Sequence, residues 1–200
     1  MLIGLASLAA ILSVPLLGGN LMKLGDIRFK APWLALLGIA MQILIINVMP
    51  ENAGPMHRAI HIASYFVIAA FVIANRHVPF LWLIALGGVL NFAAIFANDG
   101  VMPASASALE AAGFQQTPGE FINSTSLPDA HLQFLGDVFA TPSWLPVQNV
   151  YSIGDLLIVV GVLLAVHSIC DSQAARWVRA RRAGRGDDAA RRPVPSDQPA

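Results

Sequence analysis

The 200-residue chain predicts an all-α fold: a polytopic membrane helix bundle of about five transmembrane helices, closed on one side by an outer cap of short helices. Three observations predict it. Apolar residues make up 56% of the chain and charged residues 12%, with a mean hydropathy of +0.64, and that charge content is about half the soluble average. Five stretches approach the roughly 17–25 apolar residues that cross a hydrocarbon core about 30 Å thick. The basic residues, finally, fall almost wholly on one side of those stretches.

The spans follow in order. The first, about residues 2–19, is interrupted only by Pro15, which a membrane helix tolerates because neighbouring groups re-satisfy the freed backbone. The second, about 32–48, carries Gln42 and Asn47. The third, about 59–74, is short and contains His61, Ser64 and Tyr65. The fourth, 79–97, contains Gly87, Gly88 and Asn91, and its glycines suit close helix packing. The fifth, about 151–169, has Asp155 near its start and His167 near its end.

Lysine and arginine in short loops stay cytoplasmic, so they set the orientation. Lys23, Arg28 and Lys30 follow the first span, and Arg76 lies between the third and fourth. Seven arginines (Arg176, Arg179, Arg181, Arg182, Arg185, Arg191 and Arg192) follow the fifth. Arg58 alone falls on the other side, and residues 98–150 hold no Lys or Arg. This pattern predicts an inner-membrane protein with its N-terminus outside and its C-terminus in the cytoplasm. The first span lacks the positive leading region of a signal peptide and reads as a retained anchor.

Residues 1–170 thus read as the transmembrane bundle, including the outer cap 98–150. Residues 171–200 read as a basic tail, largely disordered from about Gly184 because Ala, Arg, Asp and Pro follow without periodicity. Residues 174–182 could continue the fifth helix, their arginines resting on lipid headgroups or simply solvated. Cys170 at that boundary reads as an inert thiol, acylation being the alternative.

Several chemistries are excluded. One cysteine rules out an internal disulfide and a Cys-rich zinc or iron–sulfur site. His57, His77 and His131 read as loop residues without ligand spacing, and His61 and His167 lie near opposite faces, so no metal is expected. No phosphate-cradling loop, nucleophile elbow or nucleic-acid motif is present. The reading therefore has no cofactor and no nucleic-acid partner, and takes the lipid bilayer as the main partner.

The cap should be folded, because Val101, Met102, Leu109, Phe114, Phe121, Ile122, Leu132, Phe134, Leu135, Val138, Phe139, Trp144 and Leu145 call for burial. Ser107–Glu110 and Ser126–Asp129 both have capping-box spacing, and Gly113 would end the first short helix. Trp144 and Tyr151 suit the membrane interface. Asn123-Ser124-Thr125 fits a glycosylation sequon.

The carboxylates carry what chemistry there is. An apolar-Gly-Asp-apolar tetrapeptide recurs at Asp26, Asp137 and Asp155. Asp26, near Lys23, Arg28 and Lys30, reads as part of an interfacial ion pair. Asp137 and Asp155 both fall on the outer side. Asp155 lies within an apolar helix, where a charge costs about 2.5–3.5 kcal/mol. Two carboxylates meeting in a shielded site share a proton and can activate water for hydrolysis. Asn91, Asn98, Asp99, Asn149 and Tyr151 would be the supporting polar groups. The competing reading is that Ser152–Asp155 is only a capping box at the start of the fifth helix, with Asp137 in water or capping a turn.

The stretches GGNLMKLGDIRFK (18–30), LNFAAIFANDGVMPAS (90–105), LGDVF (135–139) and NVYSIGDLLIVVG (149–161) resemble an uncharacterised family of small bacterial polytopic membrane proteins. That resemblance implies a membrane bundle and no particular activity. A second similarity is to the lipoprotein signal peptidases, four-span membrane aspartyl proteases. It rests on GGVLN (87–91) and on NVYSIGDLLIVVG. It implies that Asp137 and Asp155 are the catalytic pair. The chain departs from that pattern in the six-residue spacing of Asn149 and Asp155. It also lacks the aspartate and basic residue expected after Asn91 and has an extra first span.

Three functions follow as expectations: a membrane aspartyl-type hydrolase acting on a peptide at the outer face, a non-enzymatic complex subunit or assembly factor docking a protein through the cap, or a small transporter. The last is weakest, because no inverted repeat or broken helix pair is evident.

Overall fold

Long apolar runs with few helix breakers fold as helices, and each of the five stretches does so. The computed structural model describes residues 2–48, 55–114, 124–125, 127, 129–142, 144–145 and 147–190. The helices are α1 (Leu2–Leu16), α2 (Pro32–Val48), α3 (Pro55–Ala74), α4 (Leu81–Ala97), a short α5 (Ala106–Ala111), α6 (Ile153–Ile169) and α7 (Gln173–Ala190), with 3₁₀ turns at Leu21–Asp26 and Gln133–Leu135. Proline opens α2 and α3, the one helical position where its missing N–H costs nothing. α3 starts earlier than the apolar run suggested and takes in His57, which is therefore helical and not a loop residue.

The long helices pack in the order α1–α6–α4–α3–α2, with α4 against α6 the most extensive pairing. Glycines let backbones meet along it. A Cβ on Gly87 would press on the Gly154 carbonyl and on Ile158, and one on Gly161 would lie 2.6 Å from Ile84. Gly88 faces open space, so of the two glycines in GGVLN only Gly87 serves packing. α2 and α3 meet where Gly38 admits Ile68, and the Gln42 amide donates to Ser64 Oγ at 2.7 Å. Ser13 Oγ and His167 Nε2, 3.0 Å apart, join α1 to α6.

Buried apolar residues such as Val14, Val78, Leu81 and Ala94 share the interior with polar ones, and large apolar side chains cover the outside. Ser64, Asn75, Ser152 and Ser172 are fully buried, whereas Leu8, Leu12, Leu16, Leu36, Ile39, Phe66, Ile73, Trp82, Val89, Phe96 and Leu156 are exposed on the outside of the helices. Among the described residues no single helix is long and apolar enough to cross a membrane. Ile153–Ile169 and Gln173–Arg181 pass that test only together, and they are bent by 87°. The five stretches are therefore established as helices.

The cap departs from the expected short helices. Alongside α5 it holds two small ladders, β1 (Met102–Pro103) parallel to β2 (Ser124–Thr125) and β3 (Phe139–Ala140) antiparallel to β4 (Val150–Tyr151). α5 is capped by Ser105, whose Oγ accepts from the Ala108 N–H at 3.1 Å, and not by Ser107. Gly113, at φ 78°, ends it as expected. Ala104, Ala108, Leu109, Ala112 and Val150 form its core. Leu132, Phe134, Phe139 and Trp144, expected inside, are exposed, Trp144 at 79%. The cap is too thin to cover side chains on both of its faces. The Ser126 capping box, the sequon's Asn123, and Phe121 and Ile122 lie outside the described residues.

α7 runs to Ala190, past the point where regular structure was expected to stop. Lys23 pairs with Asp171 at 3.6 Å, not with Asp26.

Candidate functional site

The polar centre of the bundle forms where α6 begins. Ser152 Oγ accepts from the Asp155 N–H at 3.0 Å, and Asp155 Oδ2 accepts from the Ser152 N–H at 3.2 Å, a complete capping box. Asp155 Oδ1 accepts from the Asn91 amide of α4 at 2.6 Å, and Ser152 Oγ donates to Asn91 Oδ1 at 2.8 Å. Three side chains thus close a ring in which both carboxylate oxygens have donors. A charge-assisted bond of this kind is about twice as strong as a neutral one. Gly154 is required beside it, because a Cβ there would collide with the Asn91 side-chain oxygen and press on the Gly87 carbonyl.

Asp137 is placed by a different set of contacts. Its N–H donates to the Pro103 carbonyl at 2.8 Å and its carbonyl accepts from the Ser105 N–H at 3.0 Å, next to the Ala104–Asp137 bridge. The residue is 5% exposed. Gly136 serves close approach as Gly154 does, since a Cβ would strike the Pro103 carbonyl; Gly25, in the third tetrapeptide, meets nothing. The register Phe139↔Tyr151 and Ala140↔Val150 draws the segments carrying the two aspartates into one hairpin. Buried Thr141 ties its end, donating from Oγ1 to the Val147 and Asn149 carbonyls and accepting from the Asn149 N–H at 2.9 Å.

Of the supporting residues, Asn91 alone is hydrogen-bonded to Asp155. Asn98 fastens the cap to α4: its amide donates to the Ala94 and His131 carbonyls at 2.7 Å, and its oxygen accepts from the His131 N–H. Asn149 is spent on the hairpin, its side chain accepting from the Val150 N–H at 3.0 Å, and Tyr151 stacks on Phe139 with centroids 5.5 Å apart. Asp99, at φ 56°, lines a cavity of about 260 Å³ with His61, Tyr65, Phe92, Phe96 and Gly100. Sequence reasoning overlooked this cavity. Its polar members stand at the adjacent ends of α3 and α4, but nothing in their spacing along the chain joins them. Among the described residues no group of three or more His, Cys, Asp or Glu could hold a metal ion.

Cys170, fully buried, caps the far end of α6. Burial pushes its thiol above the ordinary range, with the Lys23 ammonium pulling the other way.

Neither the curated proteins nor the solved structures include a match to the chain, so the likeness to lipoprotein signal peptidases rests on the short stretches quoted above. A family model does match, over residues 26–167, well past half of the chain and from the last residue of the first 3₁₀ turn into the last turn of α6. The chain belongs to that family, a family of unknown function (DUF5317).

Proposed function

We propose that the chain is a multi-pass inner-membrane protein, N-terminus outside and C-terminus cytoplasmic, that serves as a non-enzymatic complex subunit or assembly factor. The observation that carries this is the breadth of the apolar surface: large Leu, Ile, Phe and Trp side chains cover the outside of the helices, while small apolar residues and Ser64, Asn75 and Ser152 fill the inside. In water such a surface would be an aggregation liability; in lipid it costs nothing, and close-packed small residues with interhelical hydrogen bonds supply the association. The helices of 15 to 20 residues lie at or just below the short edge of the spanning range, a mismatch that local thinning of the bilayer accommodates. α1, joined to α6 through Ser13 and His167, serves as a retained helix of the bundle.

The outer cap supplies the docking face. Phe134 and Trp144 are exposed there on a surface held rigid by Asn98 and the hairpin, and exposed aromatics of this kind mark contact with a protein partner. In mild-detergent extracts the wild-type chain should migrate in a complex larger than itself, and Phe134→Ser with Trp144→Ser should release it. A wild-type chain that runs alone contradicts the docking role.

The hydrolase reading keeps one specific observation in its favour, the hairpin that brings the Asp137 and Asp155 segments together. Against it stands the full use of the Asp155 carboxylate as a cap and interhelical acceptor. A double-mutant cycle on unfolding in micelles decides. Asp137→Asn and Asp155→Asn should be additive within about 0.5 kcal/mol, whereas strong coupling would indicate a shared proton.

A further inference from the structure

We propose that α7 is an in-plane helix that binds anionic lipid headgroups at the inner surface of the bilayer, held there by its corner with α6. The proposal extends the membrane reading above and rests on it. α6 ends at Cys170, the backbone reverses through Asp171 at φ 54°, and α7 leaves at 87°, with Ser172 Oγ accepting from the Ala175 N–H. That angle is fixed from outside the turn. The Asn20 N–H donates to the Cys170 carbonyl at 2.8 Å, and the Gln173 N–H donates to the Leu17 carbonyl at 2.9 Å. Gly19 makes this approach feasible, since a Cβ on it would press on Val14 and on the Cys170 carbonyl. With α6 crossing the bilayer, α7 lies along its surface.

The chemistry of the corner fits a phosphate-bearing interface. Lys23 at 3.6 Å, Arg176 at 3.7 Å and Arg179 all converge on the single carboxylate of Asp171, so positive charge is in excess. Beyond them the Arg181 guanidinium lies 3.8 Å over the Trp177 ring, and Trp177 and Val178 are exposed. Five arginines stand against two aspartates along α7. Indole at headgroup depth beside guanidinium groups is a combination suited to an anionic leaflet. A nucleic acid would satisfy the arginines but gives the exposed Val178 nothing to pack on.

The test uses the full chain with Trp33, Trp82 and Trp144 replaced by Phe, leaving Trp177 as sole indole, in nanodiscs of phosphatidylcholine with or without phosphatidylglycerol. Trp177 emission should be further to the blue, and more strongly quenched by brominated acyl chains, when phosphatidylglycerol is present than when it is absent. Arg181→Gln, Arg182→Gln and Arg185→Gln together should abolish that response, each arginine contributing a factor of roughly five. Identical emission in both lipids would overturn the proposal. So would a response that survives the triple variant, or an RNA oligonucleotide that reproduces the shift in phosphatidylcholine discs. A chain retained in discs but indifferent to headgroup sinks this proposal alone; a chain that leaves the discs sinks the membrane reading with it.

Discussion

Asp155 and Asp171 stand just inside the start and just past the end of the same helix, and they are satisfied in opposite ways. Asp155, among apolar helices, has only neutral donors among the described residues: the Asn91 amide and the Ser152 N–H. Asp171, half-exposed, gathers Lys23, Arg176 and Arg179. On the membrane placement proposed above, the difference follows from the medium. Dipoles fixed by the fold can hold a charge where no water competes, and they need no second desolvated ion. At the half-exposed Asp171, cations suffice and the geometry can be loose. Asp155 is therefore expected to govern folding and Asp171 mainly orientation at the surface.

The sharpest way to break this contrast is at the glycine that makes room for Asn91. Gly154→Val should prevent folding or cost more than the usual 1–3 kcal/mol of overpacking, roughly, because the atoms it meets are backbone and a hydrogen-bonded amide; thermal unfolding in detergent checks it. Next, Asp155→Ala should cost about 2–3 kcal/mol, since it removes a charge-assisted acceptor and leaves the Asn91 amide and Ser152 N–H without partners. Ser152→Ala should lose about 1 kcal/mol as an N-cap deletion, and combining it with Asp155→Ala should cost less than the sum. Asp171→Ala is the smallest, about 0.2–1 kcal/mol for an exposed cluster, and its effect should fade in high salt while that of Asp155→Ala persists. An Asp155 effect that is equally salt-sensitive would dissolve the distinction. Cys170 gives an independent check on the same corner: with its thiol buried and its ionisation disfavoured, it should react with maleimide only after denaturation.

The helices were legible because a long apolar run with few breakers has few alternatives, and the second ran over the same residues, Pro32–Val48. The capping box at Ser152–Asp155 was legible for the same local reason. What the sequence hid is long-range. Asn91 meets Ser152 and Asp155 only because α4 packs on α6 through Gly87 and Gly154. Likewise Asp171, not Asp26, neutralises Lys23 because the α6–α7 corner folds back onto residues 17–20. The cap misled for a further reason. Its apolar residues suggested burial, yet a thin layer over a bundle end leaves Phe134 and Trp144 outside. The serine that caps α5 was misplaced by two positions because Ser105 and Ser107 are equally good hydroxyls, and the chain's entry angle chooses between them.

Which side of the membrane the cap and α7 face can be read by thiol labelling. In a Cys170→Ser background, Trp144→Cys and Val178→Cys place single thiols on the cap and on α7, and a membrane-impermeant maleimide is added to intact spheroplasts. The cap position should be labelled at once and the α7 position only after the membrane is opened. Labelling in the reverse order, or recovery of the chain in the soluble fraction without detergent, would contradict the membrane placement.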